Sequence, residues 1–422
     1  MTYTTLGAMV GLIVAIILIV KNFPPAYSLI LGSLIGGLVG GGSLMQTITT
    51  IVEGASGMMS SVLRILTAGI LAGVLIKSGA AESISKTIIQ RLGRKRALIA
   101  LAIATLCLTA VGVFIDIAVI TVAPIGLVLA DELEIPRPIL LLAMIGGGKA
   151  GNIMSPNPNT IALSEAYKVN LFSLMSANII PAIVALVVTI LLVKMLQAKG
   201  TFVYEKQAGL VANDDSITEL PSFAKAISGP VIVIVLLMLR PLMGITIDPL
   251  IALPLGAILG LIIMGHAKKL NDFASFGLNK MIPVAVLLIG TGTIAGIIKN
   301  SYLQQDIINL INLMGIPSTL LAPLSGILMS GATASTTAGS TVASQSFGSA
   351  ILKMGMTPMA AAMTTHTGAT VLDHLPHGSF FHATAGSVQL DITNRMKLIP
   401  FESLIGLAAT LASIFVAQLF FG

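Results

Sequence analysis

The range 364–379 combines one carboxylate with three histidines inside an otherwise apolar part of the sequence. Histidine titrates near neutral pH and a carboxylate in apolar surroundings can hold a proton, so Asp373, His374 and His377 are candidates for a proton relay. A metal site is the competing interpretation, but Pro376 disrupts helical presentation of the ligands, and no HExxH-type acidic partner is present. We therefore expect no metal here, with ordinary hydrogen-bonded polar residues as the simpler alternative.

Two further charges lie in apolar surroundings, Asp116 and Lys149. A carboxylate between two apolar runs is costly within a membrane, so Asp116 is a candidate for proton coupling; its simpler role is to cap a hairpin. With Pro124, it predicts that the run 114–126 is not a continuous lipid-facing helix. Lys149 follows three glycines, and three interpretations stay open. It pairs with an anionic ligand, it pairs with Asp116, or it extends its ammonium to the membrane surface.

Small polar residues interrupt the apolar pattern in both halves of the sequence. The run 146–160 contains four glycines and two prolines, which predicts a broken helix. The run 330–341 is rich in serine and threonine, whose hydroxyls, with the free amides of a helix start, can bind a carboxylate. Close packing of helices is the alternative role for small residues. The candidate ligand-binding residues are Asn152, Ser155, Asn157, Ser330, Thr333, Ser335, Thr336, Thr337 and Thr367.

The composition decides which elements must position these residues. Of 422 residues, 55% are hydrophobic and 9% are charged, against about 25% charged in an ordinary soluble domain. So low a charged fraction excludes a soluble globular protein. The basic residues are too dispersed along the chain to form a nucleic-acid surface, and a single cysteine excludes a disulfide scaffold. We expect an all-α polytopic membrane protein, in contact with lipid, with about 10–12 transmembrane helices.

The predicted spans form two sets of six. They are Thr5–Val20, Ala26–Leu44, Val62–Ser78, Ala97–Gly112, Ile139–Gly151 and Ala177–Leu196, then Val231–Leu242, Pro249–Met264, Ile282–Ile298, Leu310–Met329, Thr357–Leu372 and Leu398–Phe421. The polar stretch between the sets predicts a cytoplasmic linker at 198–227, which separates a first repeat, 1–197, from a second repeat, 228–422.

Loop charges indicate that the two repeats have opposite orientations. Gly69–Lys77 resembles Gly292–Lys299, which sets an offset near 223. The loop 79–96 carries five basic residues and its counterpart 300–317 carries none, whereas the preceding loop in each half shows the reverse, with Lys280 among the basic residues of the second. Since basic loops stay in the cytoplasm, this predicts an inverted repeat, each half with a re-entrant hairpin and a broken helix, and both termini extracytoplasmic.

A family resemblance rests on these same segments. The run 116–126, the glycine-rich stretch up to Asn152, the Ser/Thr-rich run and Asp373-His374 resemble the gluconate:proton symporter (GntP) family of the ion-transporter superfamily, over nearly the whole chain. The resemblance implies a bacterial inner-membrane permease, with a homodimer possible, and places Asp116, Asn152, residues 333–337 and His374 at the binding site. Where members that transport gluconate commonly show a Ser-His-Val-Asn-Asp-like stretch, this chain reads Asp373-His-Leu-Pro-His377.

Together these observations predict a proton-coupled symporter for a small organic anion such as gluconate or a related hydroxy monocarboxylate. The expected partners are that anion and lipid, with no cofactor beyond the coupling ion, H⁺, and Na⁺ as the alternative ion. A carboxylate or citrate symporter driven by sodium and a cation/proton antiporter of the same superfamily are the competing transport functions. An intramembrane enzyme is the third alternative, but an inverted repeat is not required by hydrolytic chemistry, and we expect no enzyme.

Overall fold

The computed structural model describes residues 3–21, 23–93, 96–204, 220–245, 247–314 and 317–421. Up to residue 204 the helices are α1 Thr5–Val20, α2 Pro25–Val39, α3 Leu44–Ser56, α4 Met59–Lys77, α5 Ala80–Leu92, α6 Ala97–Ala110, α7 Ile115–Leu133, α8 Arg137–Asn152, α9 Pro158–Tyr167, α10 Leu171–Ala177 and α11 Ile179–Ala198. From residue 220 they are α12 Phe223–Met243, α13 Pro249–Ile263, α14 Leu270–Lys299, α15 Leu303–Met314, α16 Leu321–Thr333, α17 Thr336–Lys353, α18 Pro358–Gly368, α19 Ser379–Ser387, α20 Ile392–Met396 and α21 Ile399–Phe420.

The all-helical architecture predicted from the composition is confirmed. Among the described residues, four helical segments have the length and hydropathy to cross a membrane, Met59–Lys77, Leu171–Ala198, Ala267–Lys299 and Ile392–Phe420, and six shorter apolar helices accompany them. Large apolar side chains stay exposed along one face of α11 and of α21, at helical spacing. Such faces suit lipid rather than water as the surrounding solvent.

A helix pair followed by a broken helix occurs twice in the chain. In the first half, α6 and α7 flank the turn 111–114, and the break 153–157 separates α8 from α9. In the second half, α16 and α17 flank a turn at Ala334 and Ser335, and the break 369–378 separates α18 from α19. Gly112 in the first turn and Ser335 in the second are 223 positions apart, the offset found in the sequence.

Of the two helix interruptions expected in the first half, one is absent and the other is present. Residues 114–126 do not interrupt a helix, because α7 runs without a break through Pro124; packing against α6 and α8 holds the helix where one hydrogen bond is lost. The break expected within 146–160 lies at 153–157, but the glycines do not form it, since α8 contains all four of them and ends at Asn152. The glycines serve close packing instead, since a Cβ on Gly147 would lie 1.9 Å from the Ala102 carbonyl oxygen of α6.

Several predicted boundaries also differ from the structure. The expected span Leu310–Met329 is not one helix, because α15 ends at Met314 and α16 begins at Leu321. Helices α3, α5 and α15 occupy segments expected as loops, and Lys280 lies inside α14 instead of in a loop. The linker residues 205–219 lie outside the described residues, and α12 begins at Phe223, inside the predicted linker.

Candidate functional site

Both turns and both breaks meet at one cavity of about 780 Å³. The first half contributes residues 114–117 after its turn, and Asn152 and residues 157–159 around its break. The second half contributes residues 333–338 at its turn, and Asp373 and residues 377–380 at its break. Helix α14 forms part of the wall through Lys280 and Pro283. Elements far apart in sequence thus surround a single space.

The start of α17, directly after the second turn, is hydrogen-bonded to the second break and to the start of α9. Thr336 Oγ1 donates to Asp373 Oδ2 at 2.6 Å, and Thr337 Oγ1 donates to Asn159 Oδ1 at 2.5 Å. Ser335 caps α17 by accepting from the amide of Ala338 at 3.3 Å, as serine commonly does at a helix start. The Ser/Thr-rich sequence therefore both starts a helix and supplies hydroxyls to the cavity.

The first break is built from prolines and asparagines. Asn157 donates through Nδ2 to the Asn152 carbonyl oxygen at 2.7 Å and to its Oδ1 at 2.6 Å. Asn157 Oδ1 in turn accepts from the amide of Thr160 at 3.0 Å, which caps α9. Pro158 takes the first helical position, where its missing N–H costs nothing. The break is thus a hydrogen-bonded structure with amide groups directed toward the cavity.

A buried charge cluster lies behind the second break. Lys149 Nζ donates to the Thr370 carbonyl oxygen at 2.5 Å and to Asp373 Oδ1 at 2.6 Å, and lies 2.9 Å from His374 Nδ1. His374 Nδ1 also lies 3.0 Å from Asp373 Oδ1, so this nitrogen can accept from the ammonium or donate to the carboxylate. His374 Nε2 lies 3.1 Å from the Ile399 carbonyl oxygen. Lys149 therefore pairs with Asp373, not with Asp116.

A second buried ion pair adjoins this cluster. Arg395 donates through both terminal nitrogens to the two carboxylate oxygens of Glu402, and both side chains are fully buried. Glu402 Oε2 lies 3.9 Å from His374 Nδ1, and the hydroxyl of Ser403 lies 3.2 Å from His374 Nε2. His374 thus connects the charges at the cavity wall with those on α20 and α21.

The sequence profile described as GntP family permease matches residues 3–420. The chain belongs to the GntP permease family. As such it is a transporter, a multi-pass membrane protein.

Two curated relatives of this GntP permease illustrate the range of similarity. It is 53% identical over 419 residues to an uncharacterized transporter of Haemophilus influenzae, with 99% of each chain covered. It is 23% identical over 404 residues to the high-affinity gluconate transporter of Escherichia coli, with 88% of each chain covered.

Solved structures share the fold at low sequence identity. The YdaH transporter of Alcanivorax borkumensis matches with a TM-score of 0.67 at 14% identity, covering 89% of each chain. MtrF of Neisseria gonorrhoeae, described among antimetabolite efflux pumps, matches with a TM-score of 0.64 at 14% identity, covering 88% of this chain and 84% of MtrF. These similarities support a transporter fold for the GntP permease.

Most of the site residues predicted from the sequence lie at the cavity. They are Asp116, Asn152, Asn157, Thr333, Ser335, Thr336, Thr337, Asp373 and His377. Lys149 and His374 are buried behind Asp373. Ser155, Ser330 and Thr367 are not among the lining residues and instead donate to backbone carbonyls of their own segments.

Sequence reasoning missed four polar residues of this region. Asn159 binds Thr337, Lys280 lines the cavity from α14, and Arg395 and Glu402 form the pair behind His374. Glu402 carried a usable signal, since it is a carboxylate inside the predicted span Leu398–Phe421. Lys280 carried none, because a basic residue near a span end normally marks a loop.

Proposed function

We propose that this GntP permease takes up a small organic anion together with protons across the bacterial plasma (inner) membrane by alternating access. The anion is gluconate or a related sugar acid or hydroxy monocarboxylate. One observation carries the proposal: both helix turns and both helix breaks border one cavity that also contains the carboxylates Asp116 and Asp373. Interrupted helices in corresponding positions are where secondary transporters bind substrate and coupling ion.

The chemistry of the cavity wall suits a polyhydroxylated acid. Thr336, Thr337 and Ser335 supply hydroxyls, and Asn157 and Asn159 supply amide groups, which are the kinds of group that can hydrogen-bond to hydroxyls or to a carboxylate. The volume lies within the range of about 300–1,000 Å³ that is usual for small-molecule sites. Similarity to the Escherichia coli gluconate transporter adds support for this class of anion.

The alternating access that we propose uses the two halves as an inverted repeat. The supporting observations are the recurrence of turn and break 223 positions apart and the opposite charge of equivalent loop regions. In this arrangement both termini lie outside the cytoplasm and the segment 198–227 lies inside it. Labelling of cysteines introduced at the two termini and at residue 203, with a membrane-impermeant reagent, tests the orientation.

Transport in proteoliposomes tests the function. Purified protein is reconstituted in sodium-free buffer, and uptake of radiolabelled gluconate, glycerate, 3-hydroxybutyrate and citrate is measured with and without an imposed pH gradient, acidic outside. We expect at least one hydroxy acid to accumulate above equilibrium only when the gradient is present, and to leave the vesicles when a protonophore is added. Accumulation driven by a sodium gradient, and indifferent to pH, would overturn proton coupling. Absence of flux for every carboxylate tested would overturn the anion class.

A further inference from the structure

The Lys149 ammonium is held entirely by the protein's own acceptors, although it lies one residue layer from the cavity. Its side chain is 2% exposed and that of Asp373 is 5% exposed. Asp373 lines the cavity whereas Lys149 does not, so the carboxylate stands between the ammonium and any ligand. A ligand that reached Lys149 would have to take the position of the Asp373 carboxylate.

The hydrogen bonds of Asp373 define what could take that position. One carboxylate oxygen accepts from Lys149 and the other accepts from Thr336, at 2.6 Å each. A second carboxylate could accept both hydrogen bonds in the same way, while a neutral hydroxyl would leave the buried ammonium without a counter-charge. The vacated position therefore selects for carboxylate.

The charged groups on the neighbouring elements do not replace Asp373 as the partner of Lys149. Arg395 and Glu402 neutralise each other on α20 and α21, and His374 contacts Lys149 through Nδ1. Asp116 and Lys280 line other parts of the cavity wall, and His377 borders it beside Asp373. A proton added to Asp373 thus leaves one buried positive charge, that of Lys149, without a partner.

We propose that Asp373 and the carboxylate of the substrate are alternative partners of Lys149, and that this exchange couples the proton to the anion. A proton from solvent binds the Asp373 carboxylate, which then releases the ammonium, and the substrate carboxylate takes its place beside Lys149 and Thr336. The site gains one proton and one negative charge, so its net charge does not change. The inference rests on the proposed function and identifies the substrate's carboxylate as the group that the site recognises.

Thermodynamic linkage between proton binding and anion binding makes this exchange measurable as a change of anion affinity with pH. Each ligand increases the affinity for the other by the same factor, because the coupling free energy is shared. With one proton bound per anion, the apparent Kd for the anion increases by about tenfold for each unit of pH above the titration of Asp373. Asp373 lies in the break 369–378, where the backbone is not part of a regular helix.

The test measures binding and transport of gluconate, or of whichever hydroxy acid the wild-type protein transports, in Asp373→Asn protein. Asparagine mimics the protonated acid and leaves Lys149 permanently available. We expect binding that is tight and independent of pH, loss of accumulation driven by a pH gradient, and retained exchange of labelled for unlabelled anion. Lys149→Gln should instead weaken binding of the anion at every pH.

Two controls keep folding separate from function. The double variant Lys149→Gln/Asp373→Asn removes both charges of the pair, so it should recover the wild-type unfolding temperature while still binding the anion weakly. Asp391→Asn, at an exposed helix cap away from the cavity, should keep the wild-type pH dependence. An Asp373→Asn protein whose Kd changes with pH as steeply as that of the wild type overturns the exchange. Failure of the wild-type protein to transport any carboxylate would instead overturn the proposed function.

Discussion

Replacing Glu402 with glutamine removes the charge that neutralises Arg395 and leaves a guanidinium buried without a counter-ion. Both side chains are 0% exposed, and Arg395 donates to both oxygens of the Glu402 carboxylate. The ring of Phe381 lies 4.8 Å from the guanidinium carbon, but the face of a ring cannot replace a full negative charge. Removing one partner of a buried pair costs about 3–5 kcal/mol, which lowers the ratio of folded to unfolded protein more than a hundredfold.

The single cysteine provides the assay. The chain has no tryptophan, and Cys107 lies half-buried in α6, so thermal unfolding can be followed by its reaction with a fluorogenic maleimide. The matched control is Glu82→Gln, which breaks the 2.8 Å pair between Lys86 and Glu82 at the surface of α5 and should cost at most about 0.5 kcal/mol.

Two results would refute this reasoning. The first is a Glu402→Gln protein that unfolds at the same temperature as the Glu82→Gln control. The second concerns the double variant Arg395→Met/Glu402→Leu, which replaces the pair with apolar groups and should be closer to the wild type than Glu402→Gln is. A double variant that is less stable than Glu402→Gln would mean that packing, not charge, determines the effect.

Three further predictions concern the core and the cavity. Gly147→Ala places a methyl group 1.9 Å from a carbonyl oxygen of α6 and should destabilise the protein by about 1–3 kcal/mol in the maleimide assay. The control Gly386→Ala has open space around the new methyl group and should not destabilise the protein. Equal effects of the two substitutions would contradict the packing role of Gly147. Lys280→Gln should raise the KM for the anion a few-fold at low ionic strength and less at high salt. The reason is that an exposed cation attracts anions through an electric field that salt screens. A KM equal to that of the wild type at low salt would exclude this role. Asp116→Asn should abolish accumulation of the anion driven by a pH gradient. The control Asp131→Asn, on the same helix but outside the cavity, should not. Wild-type accumulation by the Asp116→Asn protein would show that Asp116 does not couple proton and anion.

Much of the fold could be predicted because membrane helices are long runs of one composition. The predicted first span coincides with α1, and the offset near 223 between the halves recurs between the two turns. Proline and glycine were the less reliable signals. Pro124 stays inside α7 and the glycines stay inside α8, since a packed helix tolerates both where a neighbouring helix contacts it closely.

The sequence indicated several residues that border the cavity, but not the contacts between them. Asn157 and Thr336 border it at interrupted segments, whereas Asp116 borders it from the first turn of the uninterrupted α7. The pairing of Lys149 with Asp373 joins residues 224 positions apart and depends on how the two broken helices pack. No periodicity in a single sequence specifies such a contact, and the same holds for the hydrogen bond between Thr337 and Asn159.

The two hydrogen bonds at the start of α17 fasten the α16–α17 hairpin at two points. Thr336 binds Asp373 in the second break and Thr337 binds Asn159 at the start of α9, so the hairpin cannot move by itself without losing both hydrogen bonds. In the transport cycle that we propose, a motion that keeps both bonds carries the hairpin, the second break and the start of α9 together as one body.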